Sequence, residues 1–265
     1  MTHAVAKQIR RIILGQSRRA NVGHIGSALS VADILAVLYH DILRIVKPRD
    51  PERDRFILSK GHSALALYAA LSLKGWLDES ELNTFCGEGS RLSVHPEYGV
   101  PGVELATGSL GQGLSFGAGA ALAARMQNSN RRVFVLLSDA ECDEGSVWEA
   151  ALFAAHHRLS NLVAVVDRNG QQALGRTEEV LALEPLAAKW QSFGWQTHEL
   201  DGHDLEALRS ALLPAARPAG QPQVIIARTT FGKGVGYMQS QIKWHYWPMS
   251  EAEYNQAIAE LEAAP

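Results

Sequence analysis

The sequence predicts an α/β domain built on a doubly wound, mostly parallel sheet with helices on both faces, and three observations carry that reading. Short, nearly all-apolar runs at Val133 to Leu137, Leu162 to Val166 and within Gln223 to Arg228 have the composition of strands buried on both faces. Helical patterns alternate with these runs, as crossover connections between parallel strands require. The first two runs each stop at an acid, Asp139 and Asp167, with the alanine-rich segment Ser146 to Leu159 between them. This central unit reads strand, acidic turn, helix, strand. A right-handed crossover of that kind puts both turns at the carboxyl edge of the sheet, where ligands of open α/β folds bind.

From the N-terminus, Val5, Ile9, Ile12 and Ile13 fall at helical spacing with Arg10, Arg11, Arg18 and Arg19 elsewhere, which predicts an amphipathic helix over the first twenty residues. NVGHIGSALS interrupts it; Ser30 is placed to cap a second helix whose apolar face is Val31, Ile34, Leu35, Leu38 and Ile42. Pro48 to Arg55 is a charged connection leading into the strand-like FILSKGHS, with His62 at its carboxyl end. Gly87 to Pro101 reads as an irregular loop holding His95, and the glycines at 108, 111, 113, 117 and 119 let a backbone approach a ligand and a helix pack closely. The few large side chains between Ser115 and Ala124 suit either a subunit contact or a helix buried within the domain. Leu181 to Phe193 and Leu205 to Leu213 are expected to be helical, as is the stretch from about Ser250 to Glu262. TTFGKGVGYM is not a P-loop, because Gly234 follows the Gly-Lys pair where Ser or Thr is needed. With no internal repeat or linker, residues 1–265 are expected to form a single domain.

Composition narrows the function. A formal net charge of −3 with no basic tract leaves no footprint for nucleic acid. No run is long and apolar enough for a membrane span and no signal-peptide pattern opens the chain, so a cytoplasmic location is expected. Cys86 and Cys142 form no CxxC and fit a reducing compartment. Cys142 lies beside the central turn, where a small core residue or a nucleophile are the two readings.

The turns carry the chemistry. Asp139 offers a hard carboxylate and Asn169, thirty positions on, an amide oxygen. With a backbone carbonyl near Gln171 they supply a few oxygen ligands and leave room for water or phosphate, as magnesium prefers. The same residue types are also common caps after strands. The turn from Asp139 to Glu144 opens a helix, whose free N–H groups favour an anion. His24, His62, His95 and His245 all sit at loop or strand-end positions, and no HxxxH or HExxH spacing points to zinc. Such imidazoles suit proton transfer near neutral pH and hydrogen bonding of phosphate and sugar hydroxyls.

These segments resemble the thiamine diphosphate enzymes, whose signature is Gly-Asp-Gly followed about thirty residues later by Asn, and EGSVWEAALFAAHHRLSNLVAVVD is similar to the transketolase form of it. GHIGSALSVADILAVLY, DRFILSKGHSALALY, HPEYGVPGVELATGSLGQGLSFGAGAAL and the terminal FGKGV with His245 resemble the diphosphate-binding domain of transketolase in family order, over essentially the whole chain. Ser138 and Ala140 stand where the motif has glycines, and a methyl at position 140 is tolerable only if φ stays negative.

The resemblance implies roles. Asp139, Asn169 and the Gln171 carbonyl would hold magnesium, or calcium or manganese in its place. His62, His245 and the Ala140 N–H would contact the diphosphate, Gly108 and Leu110 would approach the aminopyrimidine, and His24 and His95 would face the reactive carbon and the sugar hydroxyls. Glu144 would join an acidic network near a dimer interface. In the family a pyrimidine-binding domain follows, bearing the glutamate that activates the cofactor, whereas this chain ends at Pro265. The implied protein is the N-terminal subunit of a split transketolase, acting on sugar phosphates and completed by a C-terminal subunit in an α2β2 assembly. Two other readings stand beside it. One is a subunit of another thiamine diphosphate enzyme, such as a 2-oxo acid dehydrogenase or a deoxyxylulose phosphate synthase; the other is a non-catalytic homologue, supported only by Ser138 and Ala140.

Overall fold

Alternation along the central strands divides the interior into two cores. Phe134 and Leu136, Val163 and Val165, and Ile225 and Ala227 point to one face, while Val133, Val135, Leu137, Leu162, Ala164, Val166, Val224 and Ile226 point to the other. A computed structural model of the chain describes residues 1–213 and 220–263. Its elements, in order, are α1 Thr2–Ala20, α2 Ile25–Ser30, α3 Ala32–Val37, β1 Arg55–Leu58, α4 Ala64–Leu73, α5 Glu79–Leu82, α6 Gln112–Met126, β2 Val133–Ser138, α7 Gly145–His156 and β3 Leu162–Arg168. There follow β4 Gln171–Gln172, β5 Gly175–Arg176, α8 Thr177–Val180, α9 Leu186–Ser192, β6 Gln196–Asp201, α10 Leu205–Leu212, β7 Gln223–Arg228, α11 Lys243–Tyr246 and α12 Glu251–Ala263.

Five strands form a sheet in the order β1-β2-β3-β7-β6, every pairing parallel, with Val133 opposite Leu162 and Val163 opposite Gln223. Helices α1 to α4, α10 and α12 cover one face; α6, α7 and α9 cover the other. The expected doubly wound parallel fold is therefore present, with β4 and β5 as a small antiparallel ribbon beside it. Because all five strands run the same way, the turns after them gather along one edge.

Several elements differ from expectation for definable reasons. Ser30 is not an N-cap: α2 begins at Ile25, before it, and the Ser30 hydroxyl donates to the Ser27 carbonyl, 2.9 Å, and to Asp167, 2.7 Å. Arg10, placed by periodicity on the polar side of α1, is only 7% exposed, because Asp33 of α3 meets it in a two-pronged ion pair. The helix expected from Leu181 starts only at Leu186; Pro185 precedes it, and residues 181–185 connect it to α8. Strand β6 has no counterpart in the sequence pattern, since QTHELD on a sheet edge carries polar side chains on an open surface. Helix α6 settles one open alternative on one of its faces. Gly113, Gly117, Ala118 and Ala121 are buried within the domain, a Cβ at Gly117 would lie 2.4 Å from Val135, and Phe116 stands 54% exposed on another side.

Candidate active site

The carboxyl edge of the sheet holds a crevice of about 160 Å³ whose wall includes Ser27, His62, Leu110, Ala140, Asn169, Gln171, Phe231 and His245. Four of the five strands feed it: Ser59 to Ser63 follow β1, Asp139 to Glu144 follow β2, Asn169 to Gln172 follow β3, and Thr229 to Val235 follow β7.

The four predicted histidines converge here although they span positions 24 to 245. Ring centroids lie 5.2 Å apart for His24 and His245, 5.4 Å for His62 and His245, 5.7 Å for His24 and His62, and 6.4 Å for His24 and His95. His24 is held in the left-handed region, φ 60° and ψ 22°, with its N–H donated to the His245 carbonyl. A histidine in that conformation costs energy and persists only where its surroundings over-determine it. Burial, then the neighbouring His245 and His95, lower the His24 pKa to about 4. Burial also depresses His245, and burial with the Lys60 ammonium carries His62 well below the usual range. These three imidazoles are thus neutral at pH 7. The Nδ1 atoms of His24 and His245 are buried without a hydrogen-bond partner. Unpartnered polar atoms of this kind call for a ligand or water.

Asp139 is 2% exposed. One of its oxygens accepts from the Ala140 N–H, 3.0 Å, and the other from the Gly170 N–H, 2.9 Å, and the Thr177 hydroxyl, 3.0 Å. Burial, with the Asp167 charge nearby, raises its carboxyl pKa from 3.8 to about 6. The Gly170 and Thr177 donors and the Lys60 charge offset this only in part. Asn169 donates from Nδ2 to Asp167, 2.8 Å, and its Oδ1 accepts from the Gln171 N–H, 2.9 Å. Among the described residues no three His, Cys, Asp or Glu side chains converge as metal ligands. A site of one carboxylate, one amide oxygen and one main-chain carbonyl is of a different kind. Ala140 opens a 3₁₀ turn and is not among the residues with positive φ, so its methyl is accommodated.

Gly108 lies against His95, where a Cβ would sit 3.1 Å from the ring, and a second groove beside it is lined by His95, Thr107, Gly108 and Gln112. Gly111 has φ 84° and a Cβ there would strike Glu144 at 2.6 Å, so only glycine brings this loop onto the turn after β2. Glu144 lines the crevice. Cys142 is buried, and burial pushes its thiol pKa well above the usual range, which identifies it as a core residue and removes the nucleophile reading.

Two buried networks beneath the crevice are not predictable from the sequence. Asp167 and Lys60, both fully buried, form an ion pair, and Asp167 also accepts from Ser30 and Thr229. Burial alone would raise the Asp167 carboxyl, but Lys60 and these donors hold it below the usual range. Glu141 accepts from Ser59, 2.5 Å, Gly111 N–H, 2.9 Å, and Ser138 N–H, 2.9 Å, tying the turns after β1 and β2 to the glycine loop. The Lys-Gly pair and the repeated acids are visible in sequence; their pairing across about a hundred positions is not.

Sheet, crevice and neutral histidine cluster define a parallel α/β domain of the cofactor-binding class. The family description "Transketolase, thiamine diphosphate binding domain" matches residues 1–265. The chain belongs to the transketolase family. It is 42% identical over 245 residues, 92% of this chain and 87% of the relative, to an apulose-4-phosphate transketolase subunit of Phocaeicola vulgatus. It is 40% identical over 260 residues, 97% of this chain and 94% of the relative, to a 6-deoxy-6-sulfo-D-fructose transketolase subunit of a Clostridium species. Transketolase from Leishmania mexicana superposes with a TM-score of 0.91 at 31% identity, over 99% of this chain but 41% of that one. A Pichia stipitis transketolase solved with sedoheptulose 7-phosphate gives 0.91 at 31%, over 100% of this chain and 42% of its own. The chain thus spans about two fifths of the solved transketolases it matches. No helix among the described residues is long and apolar enough to cross a membrane.

Proposed function

We propose that this chain is the diphosphate-binding subunit of a two-subunit transketolase, which transfers a two-carbon ketol unit from a ketose phosphate to an aldose acceptor. The observation that carries the reading is the convergence of four histidines on a crevice beside a buried carboxylate whose charge is only partly compensated. Near-complete matches to relatives named as transketolase subunits support the two-subunit form. A second subunit supplies the pyrimidine side of the site in a two-plus-two assembly, and residues 1–265 act as one cytoplasmic domain.

The residues present fit thiamine diphosphate and a divalent ion. Asp139, Asn169 and the Gln171 carbonyl would hold magnesium, whose charge compensates a carboxylate that burial otherwise disfavours. His62, His245 and the Ala140 N–H would hold the diphosphate. Gly108 and Leu110 would approach the aminopyrimidine side. When bound, the cofactor supplies carbanion stabilisation. His24 and His95 would bind sugar hydroxyls and hold or move a proton at their ring nitrogens, which the neutral state of His24 at pH 7 permits.

Co-expression with a C-terminal transketolase subunit, followed by mass measurement and a panel of ketose phosphates and aldoses, tests the reading. The expected result is a two-plus-two complex active in ketol transfer, with the 265-residue chain inactive alone. Ketol transfer by the chain alone would overturn the two-subunit form, and release of carbon dioxide from pyruvate without ketol transfer would overturn the reaction.

A further inference from the structure

The loop Thr229 to Val235 forms one wall of the crevice and is fastened from both sides. On the inner side Thr229 donates its hydroxyl to Asp167, the Gly232 N–H donates to the Gly26 carbonyl, 3.0 Å, and the Phe231 carbonyl accepts from the Ser240 N–H, 3.0 Å. Phe231 lies so close to α2 that a Cβ at Gly26 would fall 2.0 Å from its ring, and it stacks 6.1 Å from His245. Phe231 thus joins this loop to His245 by ring packing.

On the outer side two side chains reach it. The Arg10 Nε–H donates to the Lys233 carbonyl, 3.2 Å, and the Thr230 N–H donates to His203 Nε2, 2.9 Å. Asp33 stands behind both: it accepts from the two Arg10 Nη atoms at 3.0 and 2.5 Å and lies 2.7 Å from His203 Nδ1. Burial would raise the Asp33 carboxyl, but His203 and Arg10 bring it down to about 2. A main-chain N–H only donates, so Nε2 must present its lone pair and the ring proton must lie on Nδ1, directed at Asp33. The backbone N–H of His203 is in turn donated to Asp201, 2.9 Å, which fixes the base of the side chain. Arg10 neutralises Asp33, so the carboxylate orients the imidazole without demanding that it be cationic. A second proton, on Nε2, would face the Thr230 N–H.

We propose that His203, as the neutral Nδ1–H tautomer set by the Arg10–Asp33 pair, is a positioning residue that latches the Thr229–Val235 loop and thereby places Phe231 and His245 at the cofactor crevice. The inference rests on the functional reading above for the ligand, and on the hydrogen bonds alone for the latch. It separates His203 from His24, His62, His95 and His245: its ring bonds the wall loop from behind, through the Thr230 backbone N–H, and does not line the crevice itself.

The full-length chain, labelled with ¹⁵N-histidine, should show His203 at pH 7 with Nδ1 protonated and Nε2 bare. His203→Ala should speed amide exchange of residues 230–235 by about ten-fold, the worth of one net hydrogen bond, and shift the His245 ring resonances. His203→Gln, which keeps an acceptor toward Thr230, should return both to within about three-fold of the parent. In the two-subunit complex, titration with magnesium and thiamine diphosphate should give about a ten-fold weaker cofactor affinity for His203→Ala, restored in His203→Gln, as expected from one lost hydrogen bond. An Nε2–H tautomer or an imidazolium at pH 7 would overturn the latch, as would equal exchange losses in the Ala and Gln variants. Unchanged cofactor affinity in His203→Ala, with the parent complex binding normally, would overturn its link to the site. A parent complex that binds no cofactor refutes the functional reading instead, while tautomer and exchange still decide the latch.

Discussion

Asp139→Asn should make the metal-free protein slightly more stable while removing its response to magnesium and thiamine diphosphate. The carboxyl is raised from 3.8 to about 6 in the folded protein, with burial the leading cause. At pH 7 the unfolded chain ionises it freely, whereas the folded chain does so at a cost. The difference of roughly two pKa units costs about 3 kcal/mol of stability. The sign is opposite to that of a salt-bridged aspartate: the penalty is fully present above pH 6 and is relieved as pH falls toward 3.8. Against that gain stands a lost acceptor. The Ala140 N–H and the Gly170 N–H point at different oxygens, and an asparagine presents only one. The N–H left over costs about 1–3 kcal/mol, so the net is about 1 kcal/mol in favour of the variant, or ~2–4 °C in Tm for a domain of this size. Saturating magnesium and thiamine diphosphate at about 100 times Kd should stabilise the parent complex by ~3 kcal/mol and leave the variant unmoved. Thermal denaturation of both proteins at pH 7, with and without the two ligands, provides the check. A variant less stable than the metal-free parent by more than about 2 kcal/mol, the scale of an orphaned donor, would refute the charge argument. A variant that keeps the ligand-dependent gain would refute the metal assignment.

Lys60→Met should destabilise the chain by about 3–5 kcal/mol in urea denaturation, because it leaves the fully buried Asp167 carboxylate without its cation; a loss below about 1 kcal/mol would show that Ser30, Asn169 and Thr229 satisfy the carboxylate by themselves. His24→Ala and His95→Ala should each lower turnover of the two-subunit complex by about a hundred-fold or more with cofactor affinity nearly kept, as proton-handling groups do. Cofactor affinity falling in step with turnover would return those histidines to a binding role.

The core of the fold is legible because its signal is one-dimensional. Strands β2, β3 and β7 are short apolar runs, and a run buried on both faces needs no partner to be recognised. Strand β6 is not, because its half-exposed edge carries Gln196, His198 and Glu199, and only the β7 backbone beside it makes it a strand. Much the same holds for the site. His24, His62, His95 and His245 stand out by their glycine, proline and aromatic neighbours. Glu141 and Lys60 do not, and Asp167 shows only as an acid at a strand end, since a buried polar group is recognised only by partners that arrive from distant segments. Arg10 shows the limit of periodicity: helical spacing puts it on the polar face, and one aspartate on another helix reverses its environment.

The sheet order has a consequence for how the chain is made. Strand β7 lies between β3 and β6, and among the described residues β6 pairs with β7 alone, so a ribosome that has released everything up to residue 220 presents a β3 edge without β7 and a β6 with no sheet to join. An unpaired apolar strand edge is a template for misassociation. The last strand to emerge closes the sheet, and the loop that follows it brings Thr229 to Asp167 and Phe231 to Gly26. The crevice therefore cannot exist on a nascent fragment. A truncation that spares every predicted metal ligand but stops short of residue 228 should yield an aggregation-prone chain, detectable by light scattering, and not a weaker binder.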